Sequence, residues 1–332
     1  MKALLCTHYG PPEEMELRDL PSPVPGKNQI LITVKACGVN FPDVLMLADK
    51  YQFKPPLPFP PGGEIAGVVK ALGEGVADVK VGDRVAVSVG NGGFAEEVLA
   101  DARRVVPVPA NVDFEVASAF IVTYGTSYHA LKDRARLKPG ETLVVLGAAG
   151  GVGLSAVELG VAMGATVIAG ASSEEKVALA KKHGAADGFV YPRLPLSRDQ
   201  QKALSETIKE KTGGKGADVL YDPVGDQYAE PALRAMNWEG RYLVIGFAAG
   251  EIPKVPLNLT LLKGCDIQGV FWGAHTARDP KGANDALREI MKMISEGKLK
   301  PDVSERFALA DGGKAIRVLQ DRKAMGKVVV TM

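Results

Sequence analysis

The chain has 332 residues, of which 46% are hydrophobic, and its 40 Lys and Arg nearly balance its 39 Asp and Glu. This length allows two domains with sizeable cores, and the near-neutral charge argues against nucleic acid as the main partner. Cys6, Cys37 and Cys265 show no CxxC spacing, which favours reduced thiols and a cytoplasmic protein. The uncharged stretch 142–157 is interrupted by glycines and is too short to span a bilayer, so we expect no membrane association.

The first 120 residues have the pattern of an all-β, turn-rich region. Ile30, Ile32 and Val34 alternate with other side chains at the period of a half-buried strand. The proline cluster at 55–61 predicts a stiff, extended loop. The predicted strands of this region lie near 30–36, 65–72, 84–89, 95–99 and 105–108.

From about residue 142 the pattern alternates between short apolar strands and helices. Six such strands predict a doubly wound parallel sheet. Beyond residue 272 we predict a helix at 283–295, and two strands at 305–309 and 327–331 that return to the amino-terminal β region. The predicted elements of the alternating region are strands at 142–146, 165–171, 187–191, 217–222, 241–246 and 266–271, and helices at 154–164, 174–183 and 200–212.

A glycine-rich turn follows the first of these strands. It reads Ala148-x-Gly150-x-x-Gly153, with Gly151 and Val152 between the last two glycines. Small residues let the backbone approach a pyrophosphate, and the following helix offers unpaired N–H groups and a positive dipole end. A strand–turn–helix corner also uses glycine for packing alone. The alternating context favours dinucleotide binding at all five residues.

The tip of the second strand indicates which dinucleotide is bound. An acidic residue there would mark NAD, but the chain has Ser172 and Ser173, followed by Glu175 and Lys176. The two hydroxyls and the Lys176 ammonium suit a 2′-phosphate, which favours NADP. We interpret Ser172-x-x-Glu175 as a capping box, which gives Glu175 a structural role.

Three segments resemble the medium-chain dehydrogenase/reductase superfamily, and they come in its order: Lys35–Asp43, Val79–Val85 and Gly147–Gly153. They are most similar to its zinc-independent branch, the NADPH:quinone oxidoreductases related to zeta-crystallin. The resemblance implies an α/β protein. Its parts would be a GroES-like β domain for substrate and catalysis at 1–121 and 273–332, and a doubly wound parallel (Rossmann) cofactor domain at 122–272.

The residues that bind zinc in related alcohol dehydrogenases are absent. Asn40 and Gly63 stand where that branch has Cys and His, and the segment 120–123 has no second Cys. Only Glu64 of that ligand set remains, whereas zinc needs several converging thiolates, imidazoles or carboxylates. The chain's four histidines are also scattered along the sequence. We therefore expect no metal.

The resemblance also suggests catalytic residues. Asn40 and Thr123 would flank the nicotinamide, and Tyr51 matches a tyrosine near the acceptor. A packing role for Tyr51 beside the proline cluster is the alternative. A second family tyrosine is replaced by Met46. We interpret Asp43 as a local turn residue.

Further residues are expected around the nucleotide on the same grounds. Tyr191 would lie beside the adenosine, and Arg322 would reach the 2′-phosphate. An open sheet edge at 264–271 would pair two chains into a homodimer, by analogy with the superfamily. Any one of the aromatic residues has a core role as its alternative. Gly246 and Phe247 are expected at the cofactor, at the carboxyl end of the fifth strand. Phe271 and Trp272 close the sixth strand and are expected near the carboxamide, by analogy with the superfamily.

Without zinc no Lewis acid activates an alcohol, so we expect hydride transfer from NADPH to a small electron-poor acceptor. A quinone or another α,β-unsaturated carbonyl fits this chemistry. An enoyl-thioester reductase is the first alternative, although the sequence has no evident basic cluster for a coenzyme A phosphate. The second is an NADPH-binding regulatory or structural protein with little turnover.

Overall fold

The computed structural model describes all 332 residues, which form two compact units. Unit 1 comprises Met1–Gly125 and His275–Met332, and unit 2 comprises Thr126–Ala274. None of the helices combines the length and the apolar character needed to cross a membrane. The strands are β1 (Lys2–Leu5), β2 (Glu16–Asp19), β3 (Gln29–Gly38), β4 (Glu64–Leu72), β5 (Arg84–Ser88), β6 (Glu97–Asp101), β7 (Val106–Pro107), β8 (Thr142–Leu146), β9 (Thr166–Ala171), β10 (Asp187–Val190), β11 (Ala217–Asp222), β12 (Met236–Val244), β13 (Asp266–Gly269), β14 (Val303–Ala308) and β15 (Lys327–Thr331).

Eleven α-helices connect these strands, and a π-helical segment, His129–Arg134, continues the third of them. The helices are α1 (Phe41–Leu47), α2 (Phe114–Ala117), α3 (Thr123–Tyr128), α4 (Gly151–Ala162), α5 (Glu174–Lys182), α6 (Arg198–Lys211), α7 (Ala229–Arg234), α8 (Asn258–Lys263), α9 (Trp272–Arg278), α10 (Pro280–Ser295) and α11 (Gly312–Gln320).

Unit 1 is built around a seven-stranded sheet in the order β14-β15-β3-β4-β5-β7, with β6 also paired to β3. The two carboxy-terminal strands therefore join the amino-terminal region, as the sequence predicts. The prediction of an all-β region is wrong at α1 and at the short α2. The start of α1 is fixed locally. Asp43 Oδ2 accepts a 2.8 Å hydrogen bond from the Asn40 backbone N–H, and Pro42 occupies the first turn, where proline is tolerated.

Unit 2 contains six parallel strands in the order β10-β9-β8-β11-β12-β13. In chain order this is 3-2-1-4-5-6, the doubly wound arrangement that the sequence predicts. Strand order reverses between β8 and β11, and ligands bind such folds at the carboxyl ends of the strands beside this point. The glycine-rich turn follows β8 directly.

The helix after β9 begins at the predicted residue, Glu174, but its cap differs from the prediction. The Ser173 side chain, not that of Ser172, caps α5, and it accepts a hydrogen bond from the Lys176 backbone N–H at 3.3 Å. Because α5 begins at Glu174, the third helical residue is Lys176 rather than Glu175. The predicted Ser172–Glu175 capping box is therefore wrong.

Candidate functional site

The glycine-rich turn is open beside Gly150 and tightly packed beside Gly153. Gly147 has φ +61°, which favours glycine. A Cβ added to Gly153 would lie 2.1 Å from the Gly147 carbonyl oxygen, whereas one added to Gly150 would lie 3.5 Å from that atom. Gly153 is therefore required for packing. At Gly150 the protein itself leaves the space open, which is the cradle that a phosphate group needs.

The first turn of α4 directs its N–H groups out of the helix. The first full-turn hydrogen bond is donated by Leu154 N to Gly150 O at 2.7 Å. The preceding N–H groups of Gly151, Val152 and Gly153 have no partner four residues back within the helix, and such groups bind anions. Ala148 is fully buried, so its side chain packs inside while its backbone forms the turn.

The tip of β9 carries the groups predicted for a 2′-phosphate. Ser172 and Ser173 are partly exposed there, and Lys176 follows in the first turn of α5. Partial burial lowers the pKa of Lys176; the Glu175 charge opposes this shift and the Arg193 charge adds to it. Arg193 is thus a second cation near Lys176, and no motif in the sequence predicted it. Two neighbouring cations suit a doubly charged phosphate.

The aromatic residues predicted around the nucleotide differ in exposure. Tyr191 is buried, and its ring lies 4.8 Å from that of Tyr228, so it packs in the core of unit 2. Trp272 is also buried, 6.3 Å from the His129 ring. Phe271 is exposed.

The loop after β11 is held by Asp222, which the sequence reading placed only at a strand end. One carboxylate oxygen accepts hydrogen bonds from Val224 N at 2.7 Å and Gly225 N at 2.9 Å, and the other accepts from the Tyr242 hydroxyl. Burial raises the pKa of Asp222, and these three hydrogen bonds oppose the shift. Phe247 packs over this loop, since a Cβ on Gly225 would lie 2.9 Å from its ring. Gly246 N lies 3.4 Å from the Asp222 carbonyl oxygen, which ties the ends of β11 and β12 together.

In unit 1, Asn40 lies beside a buried ion pair formed by Lys327 and Glu64. Lys327 donates hydrogen bonds to Asn40 Oδ1 at 2.7 Å and to Val39 O at 3.0 Å, and its ammonium lies 3.3 Å from Glu64 Oε1. This last contact is an ion pair without hydrogen-bond geometry. Glu64 Oε2 accepts a 2.6 Å hydrogen bond from Val122 N. We call Asn40, Asp43, Glu64 and Lys327 the Lys327 cluster.

Both carboxylates of the Lys327 cluster are out of contact with water. Burial raises the pKa of Asp43 to about 6, although hydrogen bonds from Asn40 N and Gly62 N oppose the shift. Burial likewise raises the pKa of Glu64, against the nearby Lys327 charge and the facing Asn40 side chain. The Lys327 ammonium therefore supplies positive charge where two buried carboxylates need it.

The three predicted catalytic residues differ in the partners of their polar groups. The Asn40 amide oxygen is occupied by Lys327, and its Nδ2 donates to Gly38 O at 3.3 Å. The Thr123 hydroxyl donates to Ala119 O at 3.0 Å. Tyr51 is half-buried and packs against the unit 1 core, near the Asp43 charge, while its hydroxyl has no hydrogen-bond partner in the protein. Of the three, Tyr51 has the polar group most available to a substrate.

Two residues near the carboxyl terminus are distant in sequence from the other candidate site residues: Lys327, which the sequence did not predict, and Arg322, which it did. Lys327 lies 287 positions from Asn40, so no local spacing could have connected them. Arg322 lies in unit 1, directly after α11, with φ +58°.

The fold and the glycine-rich turn define a dinucleotide-binding protein with a separate β unit. Family models describe residues 26–110 as an alcohol dehydrogenase GroES-like domain and residues 151–295 as a zinc-binding dehydrogenase. The chain is 36% identical over 331 residues to a quinone oxidoreductase-like protein 2 homolog of Nematostella vectensis, covering 99% of this chain and 88% of that protein.

Solved structures agree with this assignment. Escherichia coli quinone oxidoreductase complexed with NADPH has a TM-score of 0.90 at 29% identity, and a mycobacterial protein complexed with NADPH has 0.91 at 31%, each over 100% of both chains. The chain belongs to the quinone oxidoreductase branch of the medium-chain dehydrogenase/reductase superfamily.

Proposed function

We propose that this protein is an NADPH-dependent reductase that transfers a hydride to a quinone or another α,β-unsaturated carbonyl compound without a metal ion. The Lys327 cluster is the observation that carries this proposal. It places an ammonium beside Glu64, the one carboxylate that remains from the zinc-binding pattern. A zinc ion there would have to displace this charge, and the cluster offers it neither a thiolate nor an imidazole.

NADPH binding is supported by the residues of unit 2 and by the two relatives solved with NADPH. The turn from Gly150 to Gly153 would hold the pyrophosphate. Ser172, Ser173, Lys176 and Arg193 would hold the 2′-phosphate, and the family resemblance adds Arg322 to this set. The bound nucleotide supplies the hydride.

Tyr51 is proposed to hydrogen-bond the acceptor oxygen as negative charge develops on it. Its hydroxyl has no protein partner, and burial together with the Asp43 charge raises its pKa, so it stays protonated at neutral pH. Asn40 and Thr123 would shape the site instead, because their polar groups already have protein partners. Loss of such a donor costs about 10²–10³ in turnover, and an activated quinone should show the low end.

Steady-state assays with a panel of quinones and enones and with a crotonyl thioester, each with NADPH and with NADH, test the proposal. We expect turnover with quinones or enones, faster with NADPH, and a decrease in Tyr51→Phe while NADPH affinity stays near wild type. Turnover of the thioester alone would make the protein an enoyl-thioester reductase. Tight NADPH binding without turnover of any acceptor would make it a binding protein.

We also propose a homodimer formed through β13. This strand is at the edge of the unit 2 sheet and pairs only with β12. The segment just before it in sequence exposes Leu257, Leu261 and Leu262 by 75%, 79% and 67%. Open sheet edges and exposed apolar side chains both mark interfaces. Leu261→Glu should give monomers by light scattering, whereas the equally exposed control Val24→Glu should not. A monomeric wild type at micromolar concentration would contradict the proposal.

A further inference from the structure

Three hydroxyl groups lie buried behind the glycine-rich turn, and none of them has a role in the function proposed above. They belong to Ser127 in α3, Ser155 in α4 and Tyr221 in β11, and all three residues are fully buried. Ser127 Oγ lies 2.8 Å from Tyr221 Oη and 2.9 Å from Ser155 Oγ. We call these three residues the hydroxyl cluster.

Both serine hydroxyls of the hydroxyl cluster donate to the same backbone carbonyl. Val152 O accepts from Ser127 Oγ at 3.1 Å and from Ser155 Oγ at 2.9 Å. Since a carbonyl only accepts and each hydroxyl donates one proton, Tyr221 can donate to Ser127 while both serines donate to Val152 O. Burial raises the pKa of Tyr221, so it remains a neutral hydroxyl across the working pH range.

The Val152 carbonyl is covalently linked to the Gly153 N–H, one of the groups proposed to face the phosphate. The Val152 carbonyl and the Gly153 N–H belong to one planar peptide unit, so a hydrogen bond that fixes the first also fixes the direction of the second. Gly153 is the third residue of α4, and the N–H groups of the first helical turn have no partner within the helix. Gly153 cannot be replaced by a residue that would restrict the backbone here, since a Cβ at this position would lie 2.1 Å from Gly147 O.

We propose that the hydroxyl cluster positions the glycine-rich turn for the cofactor pyrophosphate, without touching the cofactor. Ser127, Ser155 and Tyr221 are positioning residues in this view, and they connect α3 and β11 to the first turn of α4. The inference rests on the proposed binding of NADP. Because the pyrophosphate is common to NADPH and NADH, loss of the cluster weakens both nucleotides by the same factor. Loss of the Lys176 charge, in contrast, weakens NADPH alone.

The test compares nucleotide affinity with thermal stability in Ser127→Ala, Ser155→Ala and Tyr221→Phe. Thr212→Val is the matched control, because its buried hydroxyl donates to Ile208 O at 2.9 Å and accepts from Gly216 N at 3.0 Å, ahead of the amino end of β11. Calorimetry gives the Kd of NADPH and of NADH, and unfolding without nucleotide gives Tm. We expect both Kd values to rise by roughly three- to tenfold in the cluster variants, most in Ser127→Ala. The control should lower Tm and leave both Kd values unchanged.

Ser155→Ala removes only one hydroxyl group, from a residue in a helix, so this variant provides the test if Tyr221→Phe does not fold. Kd values within twofold of wild type, combined with a lowered Tm, would overturn the inference, because the cluster would then only satisfy its own buried polarity. Weakening of NADPH alone would also overturn it. A wild-type protein that binds neither nucleotide would instead refute the proposed function, so the two failures are distinguishable.

Discussion

Lys327 and Glu64 form an ion pair inside unit 1, with the ammonium 3.3 Å from the carboxylate and neither side chain more than 5% exposed. Removal of one partner leaves a buried charge uncompensated, which costs about 3–5 kcal/mol. Lys327→Met should therefore lower the free energy of unfolding in urea by about that amount. The double variant with Glu64→Gln should recover most of the loss, and a double variant no more stable than Lys327→Met would show that the pair is not the cause.

The two glycines of the cofactor turn should respond differently to the same substitution. Gly150→Ala places a methyl group in open space at an extended backbone position, with φ −76°, so the protein should fold with a Tm near wild type and lose nucleotide affinity. Gly153→Ala collides with the Gly147 carbonyl and should lower Tm strongly. Thermal unfolding and nucleotide titration of both variants check this. Nucleotide affinity retained in Gly150→Ala would place the pyrophosphate elsewhere.

Discrimination between NADPH and NADH should depend on a few cations. Lys176→Ala, Arg193→Ala and Arg322→Ala should each remove a proposed charge-assisted contact with the 2′-phosphate, worth about 1.5–3 kcal/mol, roughly ten- to more than a hundredfold in affinity. NADPH binding should weaken by that factor while NADH binding barely changes. Lys182→Ala, exposed at the far end of α5, is the control. Equal weakening of both nucleotides would show that the substituted residue acts only on structure.

Stability should depend on pH through Asp43. Its pKa rises from an ordinary 3.8 to about 6 in the folded protein, so between these values the native state holds a proton that the unfolded state has released. The stability that Asp43 contributes is therefore present below pH 4 and is lost as pH rises through 6, by at most about 3 kcal/mol. Denaturant unfolding of wild type and Asp43→Asn from pH 4 to 7 isolates this term. A stability difference that does not change with pH would contradict it.

The sequence was most informative where the signal is local. The six parallel strands, the glycine-rich turn and the return of β14 and β15 to unit 1 were predicted, because apolar period and glycine spacing report them directly. The start of α5 was predicted correctly, but its capping residue was predicted one position early, at Ser172, because adjacent serines offer two equivalent caps. The Lys327 cluster, the Arg193 cation and the Asp222 loop could not be predicted, since tertiary structure alone joins Lys327 to Asn40 or the Tyr242 hydroxyl to Asp222.

The central claim is direct hydride transfer to a conjugated carbonyl acceptor in a protein without zinc. Single-turnover oxidation of NADPH by a quinone, with the transferred hydrogen replaced by deuterium, tests it most directly. We predict a primary isotope effect in a preparation whose elemental analysis shows no stoichiometric zinc, and no change of rate with a chelator. One activity-linked zinc per chain, or no oxidation of NADPH by any quinone or enone, would contradict the account.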